Sequence, residues 1–511
     1  MMTLSVTDTL RDERVEFTVD GDEVTLYVCG LTVSDDPHLG HARLWVHADV
    51  LHRWLEHLGY DVRHVENVTD VNEKIAARVG EREAWTAERD VAETFTAEIF
   101  ESMRGLNLRR AEVYPRVSGH VPEIIDLVES LVAAGYAYES NGSVYFDVTA
   151  FEDYGALSNQ EIEELEAQGE PDERAEKRHP ADFALWKAGG VSEAAVREHR
   201  KHDHEGDLPE GETWESPWGE GRPGWHVECS AMSMTHLGDT LDVHMGGRDL
   251  VFPHHENEIA QSEAATGETF ARYWLHAGLL SMEGEKMSSS IGNFWTVPDA
   301  LEELGVNVLR TFYAGAAYRS EQALTDETIA EAEERWDRLS RTHDRAVAAL
   351  DSVDAHAKAS DEALRSAVET TRADFTAAMN DDLNVREATA ALIELTDAVN
   401  RHLDAAEEGH LDAAEDTSDG VAYDYRGLRR AVETFEDLGE DVLGLRFDAA
   451  GADAGDGDVE LAGELVELVL ELREAAREAG EYERADELRD ALEDVGVTVE
   501  DGPEGPTYRF E

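Results

Sequence analysis

The sequence predicts an α/β chain: a doubly wound, Rossmann-like parallel sheet with an insertion, then an α-helical bundle and a small C-terminal module. Three observations predict this. The run "VTLYVCG" (24–30) is apolar and of strand length. A helical pattern and a second strand, "DVRHV" (61–65), follow within about forty residues, which is the βαβ signature of a parallel sheet. Beyond about residue 321 the pattern turns helical and passes into long Ala/Glu/Leu/Arg segments.

In chain order, the first helix begins near His38, after a polar loop and Pro37. Leu44, Ala48, Leu51, Leu55 and Leu58 recur at helical spacing until Gly59 stops it. "NVTD" (67–70) stands at the C-terminal end of the second strand, where such sheets bind ligands. Helices are expected over roughly 86–135. An insertion is expected over about 115–215, mixed and acidic from about 150. "TLDVHMGG" (240–247) and "YWLHAGLLSMEG" (273–284) return to strand character with glycine exits. This divides the chain into an α/β domain (1–320), with a KMSSS loop near 286–290, and a helical domain (321–448). A small terminal unit (459–511) follows, and the biased stretches 406–420 and 449–458 read as linkers.

Composition narrows the class. Two cysteines rule out a disulfide framework and fit a reducing cytosol with a metal or thiol role. The N-terminus lacks a basic region followed by an apolar stretch, and no run is long enough to span a bilayer, so a cytoplasmic protein is expected. Asp plus Glu number 114 against 44 Lys plus Arg, a formal charge of −70, and the only lysines are Lys74, Lys177, Lys187, Lys201, Lys286 and Lys358. The acids lie in segments with clear apolar periodicity, so they do not mark a disordered tail. They fit a halophilic cytosol: at molar salt the Debye length is about 3 Å, and a carboxylate surface repels itself little. A nucleic-acid partner stays compatible, held by shape and hydrogen bonds more than by counterion release.

Several short constellations carry chemistry. Cys229 in "WHVECSAM" and His254 and Glu258 in "FPHHENEIAQ" offer three metal ligands, the last two on one helical face; Cys29 makes a fourth. Most free cysteines are small buried hydrophobes, which accounts for either one alone; their pairing with HHENE favours a metal. "HLGH" (38–41) opens a helix, where a glycine and two imidazoles suit a phosphate, although an isolated pair of helix histidines is commonplace. In "EGEKMSSSIGNFWTV" (283–297), Lys286 sits in a Gly/Ser loop beside Ser288, Ser289 and Ser290, suited to a polyphosphate or to nothing more than solvent. "HMGGRDL" (244–250) adds Gly247 and Asp249 at a strand end, fit for a ribose or a base edge.

Together and in this order, the blocks resemble a class I aminoacyl-tRNA synthetase, and among those the cysteinyl-tRNA synthetase family. HLGH is similar to the HIGH signature and KMSSS to KMSKS. "YVCGLTV", "NVTDVNEKI", "KRHPADFALWK", "GRPGWHVECSAM", "GGRDLVFPHHENEIAQ" and "GNFWTV" resemble that one family's blocks, from residue 24 to the C-terminus. The resemblance implies one Zn2+ on Cys29, Cys229, His254 and Glu258, and ATP with Mg2+ on His38, Gly40, His41, Gly247, Asp249, Lys286, Ser288 and Ser289. His38, His41 and Lys286 are its catalytic residues, and Thr69 and Trp225 lie near the amino acid. In the terminal unit it points to Arg477, Tyr482, Asp486 and Asp501 for the anticodon, a stacking face with polar ends. The implied partners are L-cysteine, ATP and the cysteine tRNA; apart from the resemblance, no membrane partner and a monomeric chain are expected. The chain departs from the family pattern at Ser289, a lysine there; at Met245, a glycine there; and in the more acidic "SDDP" ahead of HLGH.

Such a zinc has a physical purpose. Serine differs from cysteine by one atom, and an apolar pocket separates near-isosteres by only about 10–200-fold. A soft thiolate on Zn2+ is not replaced well by a hydroxyl or a methyl, so no editing domain is expected. Two other readings stand beside this one. One is a ligase that passes activated cysteine to a small amine; the other is a non-catalytic zinc- and tRNA-binding paralogue.

Overall fold

The computed structural model describes residues 3–162, 171–202, 208–282, 285–286, 295–352, 359–408, 422–447, 497–502 and 505–510, with positions 473, 484 and 488. The chain divides into two compact units, Met1–Leu445 and Arg446–Glu511.

The first unit opens with the hairpin β1 (Ser5–Asp8) and β2 (Glu13–Glu16). Then come β3 (Glu23–Thr32), α1 (Leu39–His57) and β4 (Asp61–Thr69), the βαβ unit read from the sequence. The short α2 (Glu73–Arg78), α3 (Glu88–Gly105) and α4 (Val121–Ala134) follow. The helical stretch expected over 86–135 is thus broken. Residues 112–116 run extended along β4, with Glu66 N–H donating to Val113 O at 3.2 Å and Val68 N–H to Pro115 O at 2.8 Å. Pro115 cannot sit inside a helix, and Val113 and Tyr114 favour the extended form. Pro122 starts α4, and Gly135, in the left-handed region at φ 86, ends it.

The acidic insertion is a real layer. Its strands β5 (Ala137–Ser140), β6 (Ser143–Phe146), β7 (Phe183–Ala188), β8 (Trp214–Ser216) and β9 (Gly219–Pro223) form an antiparallel sheet in the order β5-β6-β7-β9-β8. The helices α5 (Pro171–Glu176) and α6 (Glu193–His199) lie in its connections. The chain returns through α7 (Trp225–Leu237), β10 (Leu241–Gly247), α8 (Glu256–Thr266) and β11 (Ala271–Ala277). The central sheet is parallel throughout, ordered β11-β10-β3-β4. Its order reverses between β10 and β3, the switch point at which open α/β sheets bind ligands beyond their C-terminal ends. Residues of α1, α3 and α9 (Val297–Tyr313) form one core on the sheet, and residues of α4, α7 and α8 another.

After β11, β12 (Leu280–Met282) pairs antiparallel with β13 (Glu285–Lys286) and parallel with β14 (Gln322–Leu324). The helices α10 (Asp326–Asp351), α11 (Glu362–Asn380), α12 (Val385–Glu407) and α13 (Tyr425–Phe435) then form the expected bundle. Most of the predicted linker 406–420 and all of 449–458 lie outside the described residues. The second unit is described mainly by a hairpin of β15 (Val497–Gly502) and β16 (Gly505–Phe510). Among the described residues no helix is long and apolar enough to cross a membrane.

One buried charge cluster ties the sheet's helical cover to the bundle. Asp49 on α1 accepts from Arg53 Nε at 2.8 Å, from Arg109 N–H at 2.6 Å and from Arg310 on α9. Arg310 also donates to Leu106 O at 2.8 Å and to Leu443 O at 2.7 Å. Burial pushes the Asp49 carboxyl up, but Arg310 and Arg53 outweigh it and hold it below the usual range. Removing one partner leaves buried charge uncompensated, so Asp49→Ala should cost about 3–5 kcal/mol in denaturant unfolding. Because the folded-state pKa is depressed, the stabilisation is complete above the usual aspartate range and fades as pH falls through the folded value. The stability difference between parent and variant should therefore shrink on acidification, as unfolding midpoints measured in molar KCl from pH 7 to pH 3 will check.

Candidate active site

Cys29 lies near the end of β3, with Tyr27 and Cys29 on the side that packs against Cys229 of α7 and Ile259 of α8. Gly30 next to it is required by close approach: a Cβ there would lie 1.7 Å from Asn67 O on β4. Gly30 N–H instead donates to Asn67 Oδ1 at 2.8 Å, which also accepts from Tyr27 Oη at 3.0 Å. Asn67 in turn donates to Thr69 Oγ1 at 3.2 Å. The backbone around Cys29 is thus pinned from β4.

Four ligand atoms, from Cys29, Cys229, His254 and Glu258, lie within 4.8 Å of one another, and all four residues are buried. Cys29 Sγ is 3.8 Å from Cys229 Sγ and 3.4 Å from His254 Nε2, which is 3.0 Å from Glu258 Oε1. Two sulfurs at about 2.3 Å from a tetrahedral Zn2+ stand about 3.8 Å apart, and a sulfur and an imidazole nitrogen about 3.5 Å. Glu258 Oε1 is enclosed yet makes no aligned hydrogen bond. The Cys229 thiol is pushed up by its hydrogen bond with Cys29 and by burial, which outweigh the opposing pull of His254. Two thiols, an imidazole and a carboxylate, all removed from water, fit a thiophilic divalent metal.

Around these four stands a ring of histidines that the sequence reading did not single out. His244 Nε2 meets Glu258 Oε2 at 2.9 Å and its ring stacks on Trp274 at 4.3 Å. His226 and His254 approach through their Nδ1 atoms at 2.9 Å. His255 Nδ1 lies 2.8 Å from His276 Nε2. Burial pushes the His255 and His276 imidazoles down, helped by neighbouring histidines, His276 to about 3, so both are neutral. Burial would raise the Glu258 carboxyl, but His244 and His254 hold it down, at about 2. The available sequence signal was the recurrence of histidine at strand ends and helix starts: "HVE", "VHMGG", "HHENE", "LHAG".

The HLGH turn caps α1 across the sheet from this cluster. His38 is the extended N-cap, its N–H donates to His41 Nδ1 at 3.2 Å, and the two rings stack at 3.6 Å. Gly40 leaves room for the His38 ring, which a Cβ would approach to 2.9 Å. The segment following the KMSSS loop is tied to this turn: Leu39 N–H donates to Trp295 O at 3.1 Å and Val297 N–H to Pro37 O at 2.8 Å. Lys286, on β13, pairs with Ser281 of β12. Trp225, the first residue of α7, is 40% exposed, and its ring lies 4.4 Å from that of His254. Thr69 is buried at the end of β4; Gly247 ends β10, with Asp249 exposed just beyond. Ser288, Ser289, Arg477, Tyr482 and Asp486 lie outside the described residues, and Asp501 is a backbone position of β15 facing Pro506.

Comparison with known proteins gives three family matches along the chain. The catalytic domain of class I (C) tRNA synthetases matches residues 16–334, the DALR domain 374–448, and the cysteinyl-tRNA ligase anticodon binding domain 451–509. A cysteine–tRNA ligase of Haloarcula marismortui is 61% identical over 100% of both chains. One of Halobacterium salinarum is 58% identical over 99% of this chain and 100% of that one. One of Thermococcus onnurineus is 41% identical over 99% of each. Among solved structures, a methionyl-tRNA synthetase of Mycobacterium tuberculosis with methionyl-adenylate superposes with a TM-score of 0.59 at 17% identity, over 83% of this chain and 92% of that one. That likeness speaks for the fold.

The contact at Gly30 makes a sharp expectation. Gly30→Ala must push β3 from β4 where Cys29 is presented, and backbone cannot yield as a side-chain tip does. A loss of about 3 kcal/mol in unfolding free energy is expected, at the upper end of overpacking costs, as denaturant titration will check.

Proposed function

The chain belongs to the cysteine–tRNA ligase family of class I synthetases, and from that premise we propose how its residues divide the work. Cys29, Cys229, His254 and Glu258 hold one zinc ion; the observation that carries this is the convergence of their four ligand atoms. Bound there, Zn2+ supplies a soft acceptor for the substrate thiolate, which serine and alanine cannot match.

The remaining work is positioning and charge. Trp225 and Thr69, at the start of α7 and the end of β4, flank the amino acid. The α-carboxylate of cysteine attacks the α-phosphorus of ATP and pyrophosphate leaves, with no enzyme nucleophile. His38 and His41, at the start of α1, meet the α-phosphate region, where imidazole donors and the helix N-terminus stabilise developing charge. Lys286, with Mg2+, meets the departing pyrophosphate, and Gly247 and Asp249 border the nucleoside. The terminal ribose hydroxyl of the cysteine tRNA then takes the cysteinyl group and AMP departs. The helical part and the C-terminal unit, with Arg477, Tyr482, Asp486 and Asp501, attend to the tRNA; the match of 451–509 to an anticodon binding domain supports this over a small amine acceptor.

Cysteine-dependent ATP–pyrophosphate exchange in molar KCl, followed by charging of the cysteine tRNA, tests the reading. Absence of exchange while zinc and tRNA still bind would support an idle paralogue, and exchange without tRNA charging a different acceptor. Cys29→Ser should lose zinc, read by metal analysis, and discrimination against serine together; unchanged cysteine affinity would contradict the ligand set. Lys286→Ala should slow activation about 10²–10³-fold, as loss of one transition-state donor does, with cysteine binding little changed.

A further inference from the structure

The N-terminal strand joins two places that the mechanism treats separately. At one end is Thr9, whose N–H donates to Trp274 O at 2.9 Å and whose Oγ1 lies 2.8 Å from His276 Nδ1. His276 Nε2 lies 2.8 Å from His255 Nδ1, and His255 Nε2 lies 3.9 Å from Glu258 Oε1, in van der Waals range. Thr9, His276 and His255 thus form one buried row of contacts that ends against Glu258.

At the other end is Asp382, in the turn between α11 and α12. It accepts from Thr7 N–H at 2.6 Å, from Thr7 Oγ1 at 2.8 Å and from Arg319 Nε at 2.9 Å. Its own N–H donates to Ser5 O at 3.0 Å, and Ser5 Oγ donates to Asn380 O at 3.1 Å. Tyr318 Oη, from the segment before β14, donates to Thr7 O at 3.2 Å. The turn itself is strained. Asp382 and the buried Leu383 both lie in the left-handed region, at φ 64 and φ 51, a conformation that is uncommon for aspartate and an outlier for leucine. Adjacent strained residues persist only where surroundings over-determine them, and such places are candidates for two-state elements.

We propose that Thr9 and Asp382 are positioning residues at the two ends of a strut, strand β1, through which engagement of tRNA by the helical part changes the affinity of the metal cluster for cysteine. The proposal rests on the reading of cysteine and its tRNA as substrates. A shift of the α11–α12 turn moves Thr7, and Thr9, in the turn that directly follows β1, carries the movement to His276, His255 and the Glu258 side of the cluster. By linkage, tRNA then alters cysteine affinity and cysteine alters tRNA affinity by the same factor.

The test measures the KM for cysteine and for ATP in pyrophosphate exchange, in molar KCl, with and without the cysteine tRNA. In the parent, tRNA should change the cysteine KM about fivefold or more and leave that of ATP alone. Asp382→Asn tolerates the left-handed backbone but removes the charge; it should exchange normally without tRNA and show no tRNA-induced change. Thr9→Val should raise the cysteine KM about tenfold, with the ATP KM unmoved, and Thr9→Ser, which keeps the hydroxyl, should restore it. A parent KM indifferent to tRNA, or a full tRNA effect in Asp382→Asn, overturns the strut. A parent without any cysteine-dependent exchange overturns the underlying reading of function and the strut with it.

Discussion

The structure turns on one electrostatic constraint: two thiols, an imidazole and a carboxylate are buried within one small volume, remote from solvent. Burial alone would lower the His254 imidazole, but Glu258 and Cys229 outweigh it and push it up to about 10. The His254–Glu258 pair thus offsets part of the desolvation, and a bound cation would offset the rest. Its members come from a strand, the first turns of one helix and the first turn of another, about two hundred residues apart along the chain. The parallel sheet, its order reversed between β10 and β3, brings those starts and ends to one edge. The β3–β4 contact at Gly30 and the histidine ring serve the same requirement, the first by fixing where Cys29 points, the second by supplying partners to Glu258.

The extreme charge leaves this interior untouched. Acids on the bundle surface are matched across helices, Arg338 with Asp397, Arg345 with Asp404 and Arg372 with Asp437. Exposed pairs of this kind contribute little each, and less still in strong salt. The buried cluster of Asp49, Arg53 and Arg310 is a different case, since ions screen it poorly and it joins α1, α9 and residues 440–443. Stability that depends on the solvent and stability that depends on geometry are thus held by different parts of the molecule.

What the sequence disclosed follows from range. The β3–α1–β4 unit and the bundle were legible because their signals are local: an apolar run, a helical period, a stopping glycine. The grouping of Cys229, His254 and Glu258 was legible as chemistry, since HHENE is local and two cysteines leave few choices, but the approach of Cys29 to them is a property of the sheet order and was reached through family likeness. The break of the 86–135 helical stretch was missed because residues 112–116 are extended by pairing with β4, a contact no local period records. The antiparallel sheet of the insertion was hidden by short strands and by acidic composition. His244, His255 and His276 were missed because each sits in a different segment and acquires meaning only from its neighbours.

That last point bears on how selectivity is built. A metal ligand fixes which atom touches the ion, whereas the partner of that ligand fixes its orientation and basicity. Here Glu258 is oriented by His244 from β10, and His255 is oriented by His276 from β11, which answers to Thr9 ahead of β2. Glu258 is thus held directly from β10, while β11 and the turn after β1 back the His255 ring that packs against it. A site that must separate a thiol from a hydroxyl tolerates little slack in its ligands, and distributing the support over separate strands means that no single loop motion loosens it. The exception is a movement that displaces a whole strand, and β1, anchored at a strained turn of the bundle, is placed to make one.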